Sequence, residues 1–442
     1  MSRPHPLSGF PEWLPPQRMI EQQVVDRLRR TFELHGFAPL QTRAVEPLDQ
    51  LLRKGETSKE VYLLRRLQAD ADDPSDSGLG LHFDLTVPFA RYVLQHAGKL
   101  QFPFRRYQIQ PAWRGERPQE GRYREFLQAD IDVVDRETLP FHYDVELPLV
   151  VADALRGLPL PPIRMRVNNR KLSQGFYRGI GLADPAEVIR VVDKLDKIGP
   201  AGVAGQLTEL GATDGQVKAC LALAEISSPD LSFVDAVSGL GVTDPLLEEG
   251  LAELAAVVSA AAEHAPGLLL ADLKIARGLD YYTGTVYETE LVGHESLGSI
   301  CSGGRYDNLA STGTERFPGV GLSIGVTRLL GRLFGQQALT ISRQVPTCVL
   351  VALADEQSRP VSLRVATALR RRGIATEVSP TAAKYGKQIR YAERRGIPYV
   401  WFPASDEAED EVKDIRSGEQ IVASAQQWTP PEADLYPRIA AG

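Results

Sequence analysis

The sequence predicts an α+β fold: a domain built on an antiparallel sheet, a small helical insertion within it, and a separate α/β unit at the C-terminal end. Apolar and polar residues alternate over 107–113 and again over 127–133, on either side of a charged loop. This period of two is typical of a long antiparallel hairpin. Residues 185–267 are rich in Ala, Leu, Glu and Gly and have helical spacing. After residue 346, strand-like runs alternate with helical segments, which indicates the α/β unit.

Length and composition limit the class of protein. A chain of 442 residues is too long for one ordinary core. We expect a main domain over 1–335, interrupted at about 185–267, a linker over 336–345 and a last domain over 346–442. Hydrophobic residues make up 43% and charged residues 24%, as in soluble globular proteins. The sequence contains no segment that predicts a membrane helix or a secretory signal. Its three cysteines are scattered and do not indicate a disulfide framework. We therefore expect a cytoplasmic protein without membrane contacts.

The charge pattern is uneven. A net charge of −7 argues at first against a nucleic-acid partner, but residues 105–124 hold six arginines and only two glutamates. Such a local excess of positive charge can contact phosphates while the rest of the surface repels polyanions. A solvated loop with spare arginines gives the same pattern, and the charge cluster alone favours this second interpretation.

The second strand of the predicted hairpin has two distinct faces. Its residues 127, 129, 131 and 133 are apolar, whereas Gln128, Asp130 and Asp132 point to the opposite side. This polar face is either part of a binding site or an ordinary solvated sheet face, and the alternation does not distinguish the two.

Two glycine-flanked segments, 277–284 and 302–307, combine arginines, carboxylates and tyrosines. Glycines allow close approach of the backbone, and arginine beside aspartate and tyrosine supplies fixed donors and acceptors, so these segments suit a small polar ligand. Further upstream, Asp84 and Thr86 precede Pro88, which indicates a helix start, a ligand contact, or both. His82, without a partner set, is interpreted as a packing residue rather than a catalytic base.

The segment 318–330 changes from alternation to helical spacing, which predicts a strand, a glycine turn and a helix. Arg328 can stack there on a planar base. Neither a Rossmann nor a P-loop phosphate motif occurs in the chain. Near the N-terminus, Ile20, Val24, Leu28 and Phe32 predict an amphipathic helix that ends near Gly36 and is followed by an extended segment.

The C-terminal unit is predicted to contain strands at 348–353, 374–378 and 399–402 and a helix at 358–372. Lys384, Lys387, Gln388 and Arg390 are candidate RNA contacts, and a solvated helix face is an equally good interpretation.

Taken in order, these stretches resemble the motifs of the histidyl-tRNA synthetases, a family within class II of the aminoacyl-tRNA synthetases. Residues 37–40 are similar to motif 1, residues 113–126 to motif 2 and residues 318–330 to motif 3. The two tyrosine segments resemble the histidine-binding signatures, and the last unit resembles the anticodon-binding domain of the histidyl, prolyl, threonyl and glycyl enzymes. The resemblance implies ATP-dependent activation of L-histidine to histidyl-adenylate and its transfer to the 3′ end of histidine tRNA, with Mg²⁺ on the phosphates and a homodimeric assembly.

The resemblance also implies roles for individual residues, with no metal ligand assigned among the side chains. The catalytic residues are Arg114 and Arg277, which flank the α-phosphate of ATP. The remaining roles are histidine binding by Asp84, Thr86, Gln128, Asp132, Arg277, Tyr281, Tyr282 and Tyr306, ATP binding by Arg114, Glu116 and Arg328, and tRNA binding by Arg117, Gln119 and Arg122. The chain departs from the family at His82, where Arg is usual, and at Thr327, where Glu is common.

Three other functions remain open from the sequence. A histidine-sensing regulatory subunit of ATP phosphoribosyltransferase is one, although such subunits typically lack the last α/β domain. A paralogue that makes histidyl-adenylate for an acceptor other than tRNA is the second, and the departures at His82 and Thr327 leave it open. An inactive synthetase fold that binds RNA or signals is the third, and the set of Asp84, Arg114, Gln128, Asp132 and Arg277 argues against it.

Overall fold

A computed structural model describes residues 5–52, 60–68, 78–119, 121–275, 281–404 and 409–442. By its internal contacts the chain divides into two units. The first comprises Met1–Pro11 and Val24–Arg332, and the second comprises Glu12–Gln23 and Leu333–Gly442. The finer domain and linker boundaries given above stay predictions.

The elements are as follows in chain order. The first are α1 (Pro15–Leu34), β1 (Ala38–Pro39), β2 (Val45–Pro47), α2 (Leu48–Leu51), β3 (Leu63–Leu64), β4 (Leu79–Leu81), α3 (Thr86–His96), β5 (Phe104–Trp113), β6 (Glu125–Val134), α4 (His142–Leu155) and β7 (Ile163–Asn169). Next are α5 (Arg170–Gly179), α6 (Pro185–Val192), α7 (Leu195–Glu209), α8 (Asp214–Ala224), β8 (Ser227–Ser228), α9 (Ser232–Ser238), α10 (Pro245–His264), β9 (Leu269–Asp272), β10 (Thr285–Leu291), β11 (Cys301–Ser311), β12 (Arg316–Gly325) and α11 (Val326–Gly335). The last are β13 (Leu339–Ile341), β14 (Val349–Val351), α12 (Arg359–Arg371), β15 (Thr376–Val378), α13 (Tyr385–Arg395), β16 (Tyr399–Phe402), β17 (Glu411–Asp414), β18 (Gln420–Val422), α14 (Glu432–Leu435) and β19 (Ile439–Ala441).

The first unit is organised around a nine-stranded sheet with the order β1-β5-β6-β12-β11-β10-β7-β9-β8. Its central strands pair antiparallel, and among the strands of the described ranges only the β1–β5 and β7–β9 pairs are parallel. The predicted hairpin is formed by β5 and β6, and it is longer than the alternation indicated. The central pairings bring β6, β12, β11 and β10 side by side, although β6 and β12 are far apart in sequence.

The two faces of β6 separate as the alternation predicted. Ala129, Ile131 and Val133 are fully buried against the core. The opposite face is also buried, because Gln128 is 8% exposed and Asp130 only 2%. The interpretation of this face as an ordinary solvated sheet surface is therefore wrong, since buried amide and carboxyl groups need polar partners.

Glycine-rich β12 runs directly into α11, so the predicted glycine turn between strand and helix does not form. The segment 185–267 contains the predicted helices, α6 to α10, together with the short strand β8. Its last helix, α10, is joined to α5 by ion pairs: Nζ of Lys171 lies 2.6 Å from the Glu253 carboxylate, and the Arg178 guanidinium lies 2.6 Å from that of Asp244.

The second unit contains a five-stranded mixed sheet with the order β15-β14-β16-β17-β18. Its three strands β15, β14 and β16 are parallel, and β17 and β18 continue antiparallel. Strand β13 lies within the segment predicted as a linker and pairs with β19.

The N-terminal helix α1 is amphipathic as predicted, with Ile20, Val24, Leu28 and Phe32 buried. None of the helices in the described ranges has the length and apolar content needed to cross a membrane.

Candidate active site

A cavity of about 430 Å³ lies over the polar face of the large sheet. Its floor comes from β6, β10, β11 and β12, and its walls come from the hairpin loop, the start of α3 and the start of α11. Nine of the residues assigned to histidine, ATP or tRNA line it: Asp84, Thr86, Arg114, Glu116, Arg122, Gln128, Tyr281, Tyr282 and Arg328. The cavity therefore joins segments separated by more than 200 positions in the chain.

The other assigned residues lie elsewhere. Asp132 and Tyr306 are buried behind the cavity wall, where they contact each other. Arg117 and Gln119 are exposed on the hairpin loop. Arg277 lies outside the described residues. Residues that the sequence did not lead us to assign also line the cavity: Tyr123, Phe126, Glu288, Ser299, Ile300, Cys301, Ser302 and Ser323.

Three arginines share the cavity. Arg114, Arg122 and Arg328 all line it, and the pKa of Arg328 is lowered to about 10 by burial and then by the charges of Arg122 and Arg114. Glu116 opposes this shift and lies 3.3 Å from Nη1 of Arg122. With a pKa of about 10, Arg328 stays charged at neutral pH. The repulsion among the three guanidinium groups favours an anionic ligand.

Arg114 lines the cavity and is held through its inner nitrogen. Its Nε donates a hydrogen bond of 2.9 Å to the carbonyl oxygen of Phe83, and its guanidinium carbon lies 5.1 Å from the centre of the Phe126 ring. Within the described part of the chain, no protein group hydrogen-bonds its two terminal nitrogens. These two parallel donors have the geometry that binds phosphate or carboxylate oxygens.

Asp84 acts at the start of α3 and also lines the cavity. Its Oδ1 accepts a hydrogen bond of 3.0 Å from the backbone N–H of Val87. Both interpretations made from the sequence are therefore compatible with the geometry, because a carboxylate has further acceptor positions after one is used. Thr86, the first residue of α3, contributes its side chain to the same wall.

The polar face below the cavity is a network of buried charges. Nη2 of Arg106 lies 2.7 Å from Oδ2 of Asp132, and Tyr306 donates a hydrogen bond of 2.7 Å to Oδ1 of that residue. Beside them, burial raises the pKa of Asp130 to about 7, Arg106 opposes the shift, and Asp132 adds to it. Gln128, on the same face of β6, donates a hydrogen bond of 2.7 Å from Nε2 to Oγ of Ser323.

The paired tyrosines close one side of the cavity. The rings of Tyr281 and Tyr282 have centroids 4.6 Å apart, and the Tyr281 hydroxyl donates to the Tyr282 hydroxyl at 3.4 Å. Burial raises the pKa of both phenols well above the usual range, so both remain neutral hydroxyl groups that can donate and accept.

The expectation that both arginines of the tyrosine segments hold a ligand needs correction for Arg305. Its Nε donates a hydrogen bond of 3.0 Å to the Asp144 carboxylate, and its Nη1 donates to the Leu139 carbonyl oxygen at 3.2 Å. Asp307 accepts a hydrogen bond of 2.6 Å from the Thr283 hydroxyl. Arg305 and Asp307 therefore stabilise the sheet next to the cavity and do not line it.

The residues that line the cavity include no preformed cage for a metal ion. Within the described ranges, no group of three or more His, Cys, Asp or Glu side chains is arranged to hold one. Asp84, Glu116 and Glu288 are the carboxylates of the lining. This set fits a Mg²⁺ ion held mainly by phosphate oxygens and water, which is the usual mode at nucleotide sites.

Comparison with known proteins assigns the family. The sequence pattern described as Histidyl-tRNA synthetase matches residues 9–329, and the pattern described as Anticodon binding domain matches residues 347–428. The chain belongs to the histidyl-tRNA synthetase family. The histidine–tRNA ligase of Micrococcus luteus is 60% identical over 454 residues, with 100% of this chain and 99% of the relative covered. That of Cutibacterium acnes is 58% identical over 450 residues, with 99% of each covered.

A solved structure supports the same assignment. The crystal structure of histidyl-tRNA synthetase from Nostoc sp. PCC 7120 superposes with a TM-score of 0.86 at 36% identity, covering 96% of this chain and 98% of that one. The predicted fold class and the resemblance to this family are confirmed.

The two departures from the family pattern have structural explanations. His82 is fully buried away from the cavity, with Nε2 2.7 Å from the Pro111 carbonyl oxygen and Nδ1 3.2 Å from that of Arg43. Its interpretation as a packing residue agrees with this position. Thr327 accepts a hydrogen bond of 2.8 Å from the backbone N–H of Leu127, so this member of the family uses it to join α11 to β6.

Proposed function

We propose that this chain activates L-histidine with ATP and transfers the histidyl group to the 3′ end of histidine tRNA, with the cavity described above as the site of both reactions. Membership in the histidyl-tRNA synthetase family supports the reaction, and the full-length similarity to histidine–tRNA ligases supports the substrates. The observation that carries the site assignment is the meeting of three arginines with Asp84, Thr86 and Gln128 in a single cavity.

In the first reaction, a carboxylate oxygen of histidine attacks the α-phosphorus of ATP. A bond from that oxygen to phosphorus forms, the bond to the bridging oxygen of the β-phosphate breaks, and pyrophosphate leaves. The protein contributes position and positive charge to such a transfer. Arg114 is assigned to the α-phosphate because it lines the cavity and its Nε is held by the Phe83 carbonyl oxygen, which leaves the two terminal nitrogens to contact a ligand. Arg277 is assigned to the opposite side of that phosphate on the sequence alone.

The rest of the nucleotide is assigned to the end of the cavity formed by the hairpin loop and α11. Arg328 is placed on the adenine as a stacking cation, and Glu116 is placed near the same ring. Mg²⁺ is assigned to the outer phosphates, where it would neutralise charge on the departing pyrophosphate.

Histidine is assigned to the end nearest α3. Asp84, Thr86 and the Gln128 carbonyl oxygen supply acceptors for its ammonium group. Tyr281 and Tyr282 lie at the same end and supply neutral hydroxyl groups for the imidazole. Asp132 and Tyr306 are also assigned to the imidazole. Asp132 accepts a hydrogen bond from Tyr306 and forms an ion pair with Arg106 behind the cavity wall, so these residues would act on the imidazole through the buried network. A site that pairs polar groups in this way rejects apolar side chains strongly.

In the second reaction, a hydroxyl group of the terminal ribose attacks the carbonyl carbon of histidyl-adenylate, and AMP leaves. Arg117 and Gln119, exposed on the hairpin loop, are assigned to the end of the tRNA, together with Arg122 at the cavity. The second unit is assigned to the anticodon, because residues 347–428 match the anticodon-binding pattern. A homodimer in the cytoplasm completes the proposal.

Aminoacylation of purified histidine tRNA, with the other amino acids as controls, tests the overall function. Arg114→Ala tests the site, because removal of one charge-assisted donor is expected to raise the barrier by about 3 kcal/mol, or ~100-fold in rate. Arg117→Ala is the matched comparison: it should leave histidine-dependent exchange between ATP and pyrophosphate intact while slowing transfer to tRNA. Charging of another tRNA, or normal exchange by folded Arg114→Ala, would contradict the proposal.

A further inference from the structure

The turn between β10 and β11 is built around the end of the Arg328 side chain. It contains a single turn of 3₁₀ helix, Glu295–Leu297, and then Gly298. Nη2 of Arg328 donates a hydrogen bond to the carbonyl oxygen of Leu297. Gly298 has a φ of +71°, and a Cβ atom at this position would lie 2.9 Å from the same nitrogen. The lack of a side chain at Gly298 thus leaves room for the guanidinium group against the turn.

Leu297 also contacts the hairpin loop, through its side chain. The residue is only 6% exposed, and a Cβ atom added to Gly121 would lie 2.4 Å from Cδ1 of Leu297. The leucine side chain therefore packs directly on the backbone of Gly121. Gly121 and Arg328 both line the cavity. One buried residue thus joins two parts of the cavity wall that are far apart in the chain.

The electrostatic surroundings of Arg328 oppose its position in the cavity. Burial lowers its pKa most, and the charges of Arg122 and Arg114 lower it further because they repel the guanidinium group. Its Nε is also buried, without a hydrogen-bond partner in the part of the chain that the structure describes. A carbonyl oxygen that accepts from a charged guanidinium group forms a strong hydrogen bond, which offsets this repulsion. Without that acceptor, the flexible side chain would be free to move away from the other two arginines.

We infer that Leu297 is a positioning residue for ATP: its carbonyl oxygen holds the Arg328 guanidinium group in the cavity, and its side chain fixes that oxygen by packing on Gly121. The inference rests on the proposed function, in which Arg328 contacts the nucleotide. A shift of the hairpin loop at Gly121 moves the acceptor and with it the arginine. Leu297 itself does not touch the reactants and acts through Arg328.

Steady-state kinetics of histidine-dependent exchange between ATP and pyrophosphate test the inference. In Leu297→Ala the turn loses its packing on Gly121, so KM for ATP is expected to rise about tenfold, with kcat and KM for histidine within about twofold of the wild type. Leu297→Met fills the same space and is expected to keep the wild-type KM. Leu297→Val also lacks the Cδ atoms, and it replaces the alanine variant in the test if that variant does not fold.

Leu139→Ala is the matched control. Leu139 is a buried leucine, 7% exposed, whose carbonyl oxygen accepts a hydrogen bond of 3.2 Å from Nη1 of Arg305. The contact is of the same kind, but Arg305 does not line the cavity. Leu139→Ala is therefore expected to lower Tm and to leave KM for ATP at the wild-type value. An equal rise of KM for ATP in Leu139→Ala and Leu297→Ala would overturn the inference.

A double-mutant cycle with Arg328→Met separates action through Arg328 from a general loosening of the cavity wall. In the Arg328→Met background, Leu297→Ala is expected to change KM for ATP by less than about twofold, because the guanidinium group that it positions is gone. A rise of about tenfold in that background as well, or an unchanged KM in Leu297→Ala alone, would overturn the inference and leave the proposed function intact. Arg328→Met with the wild-type KM for ATP would instead contradict the assignment of Arg328 to the nucleotide, and the inference with it.

Discussion

The hydroxyl group of Tyr306 donates a hydrogen bond of 2.7 Å to Oδ1 of Asp132, and both side chains lie against glycines of the neighbouring strand. A Cβ atom on Gly319 would lie 2.4 Å from the Tyr306 ring, and one on Gly321 would lie 2.0 Å from Oδ1 of Asp132. The two glycines of β12 thus provide the space in which the buried acid and the tyrosine meet. Any larger residue must displace one of them.

Gly321→Ala is therefore expected to destabilise the first unit and weaken histidine binding. The added methyl group overlaps Asp132, so either strand β12 or the Asp132 side chain must move. Such overpacking typically lowers the free energy of unfolding by about 1–3 kcal/mol. Thermal unfolding followed by calorimetry should show a lower Tm, and exchange kinetics should show a raised KM for histidine. Gly205→Ala is the control, because nothing lies within 4 Å of its added Cβ in α7 and alanine favours a helix by about 1 kcal/mol. Equal effects of the two substitutions would contradict the explanation.

Arg328 gives a prediction about ATP that depends on pH. Burial and the charges of Arg122 and Arg114 lower its pKa to about 10, so the wild-type residue stays protonated over the neutral range. A lysine at this position meets the same burial and the same two charges from a lower starting pKa. KM for ATP of Arg328→Lys is therefore expected to rise as pH increases from 7 to 9, because the amine loses its charge, while the wild-type KM changes little.

The control for this experiment is KM for histidine, which should change with pH by the same factor in both proteins. Arg328→Met, which has no charge at any pH, should show a KM for ATP about 10–100-fold above wild type without the pH dependence of the lysine variant. Parallel pH curves for the lysine and methionine variants would show that charge at this position does not act on the nucleotide.

Thr327 gives a prediction about stability. Its Oγ1 accepts from the Leu127 N–H at 2.8 Å, and Thr327 is 3% exposed. Thr327→Val keeps the shape but removes the acceptor, leaving a buried N–H unpaired at a cost of about 1–3 kcal/mol. The midpoint of thermal unfolding should fall for Thr327→Val and stay near wild type for Thr327→Ser, which retains the hydroxyl group. A valine variant as stable as the serine variant would contradict this role.

The local parts of the fold were predictable because their signals are local. Alternation along β6 assigned Gln128 and Asp132 to one face, and the spacing of Ile20, Val24, Leu28 and Phe32 assigned the buried stripe of α1. The alternation did not predict that the polar face is buried, because burial depends on strands from elsewhere in the chain. The roles of the individual site residues came from the resemblance to the family and stay predictions.

The remaining features of the site depend on long-range pairing. Ser323 and Glu288 reach the cavity only because β12 and β10 join the sheet beside β6 and β11, which no local pattern specifies. The interpretation of Arg305 as a ligand contact was wrong for the same reason. Its motif resembles a ligand site, but its partner Asp144 is 161 positions away in the chain. Glycine in β12 was the available signal, since repeated glycine in a strand indicates close approach of a neighbouring group.

Asp130 gives the last prediction, which concerns stability as a function of pH. Its raised pKa of about 7 is caused first by burial, with Arg106 and a hydrogen bond from Ser323 opposing and with Asp132 and Asp84 adding to it. The neutral hydroxyl of Tyr282 and the thiol of Cys301 also face this carboxyl from the tyrosine segment and from β11. These ionisable neighbours come from β5, β6 and β11, from the tyrosine segment and from the start of α3.

The direction of the pH effect follows from the raised pKa. The folded protein holds the proton more tightly than the unfolded chain, in which the aspartate has its ordinary pKa of 3.8. The contribution to stability is therefore fully present below pH 3.8 and is lost as pH rises through about 7. Asp130→Asn cannot titrate, so its Tm minus the wild-type Tm is expected to increase between about pH 5.5 and 8.5. Asp214→Asn, at an exposed position of α8, should give a constant difference, and a constant difference for Asp130→Asn would show that this carboxyl stays ionised throughout.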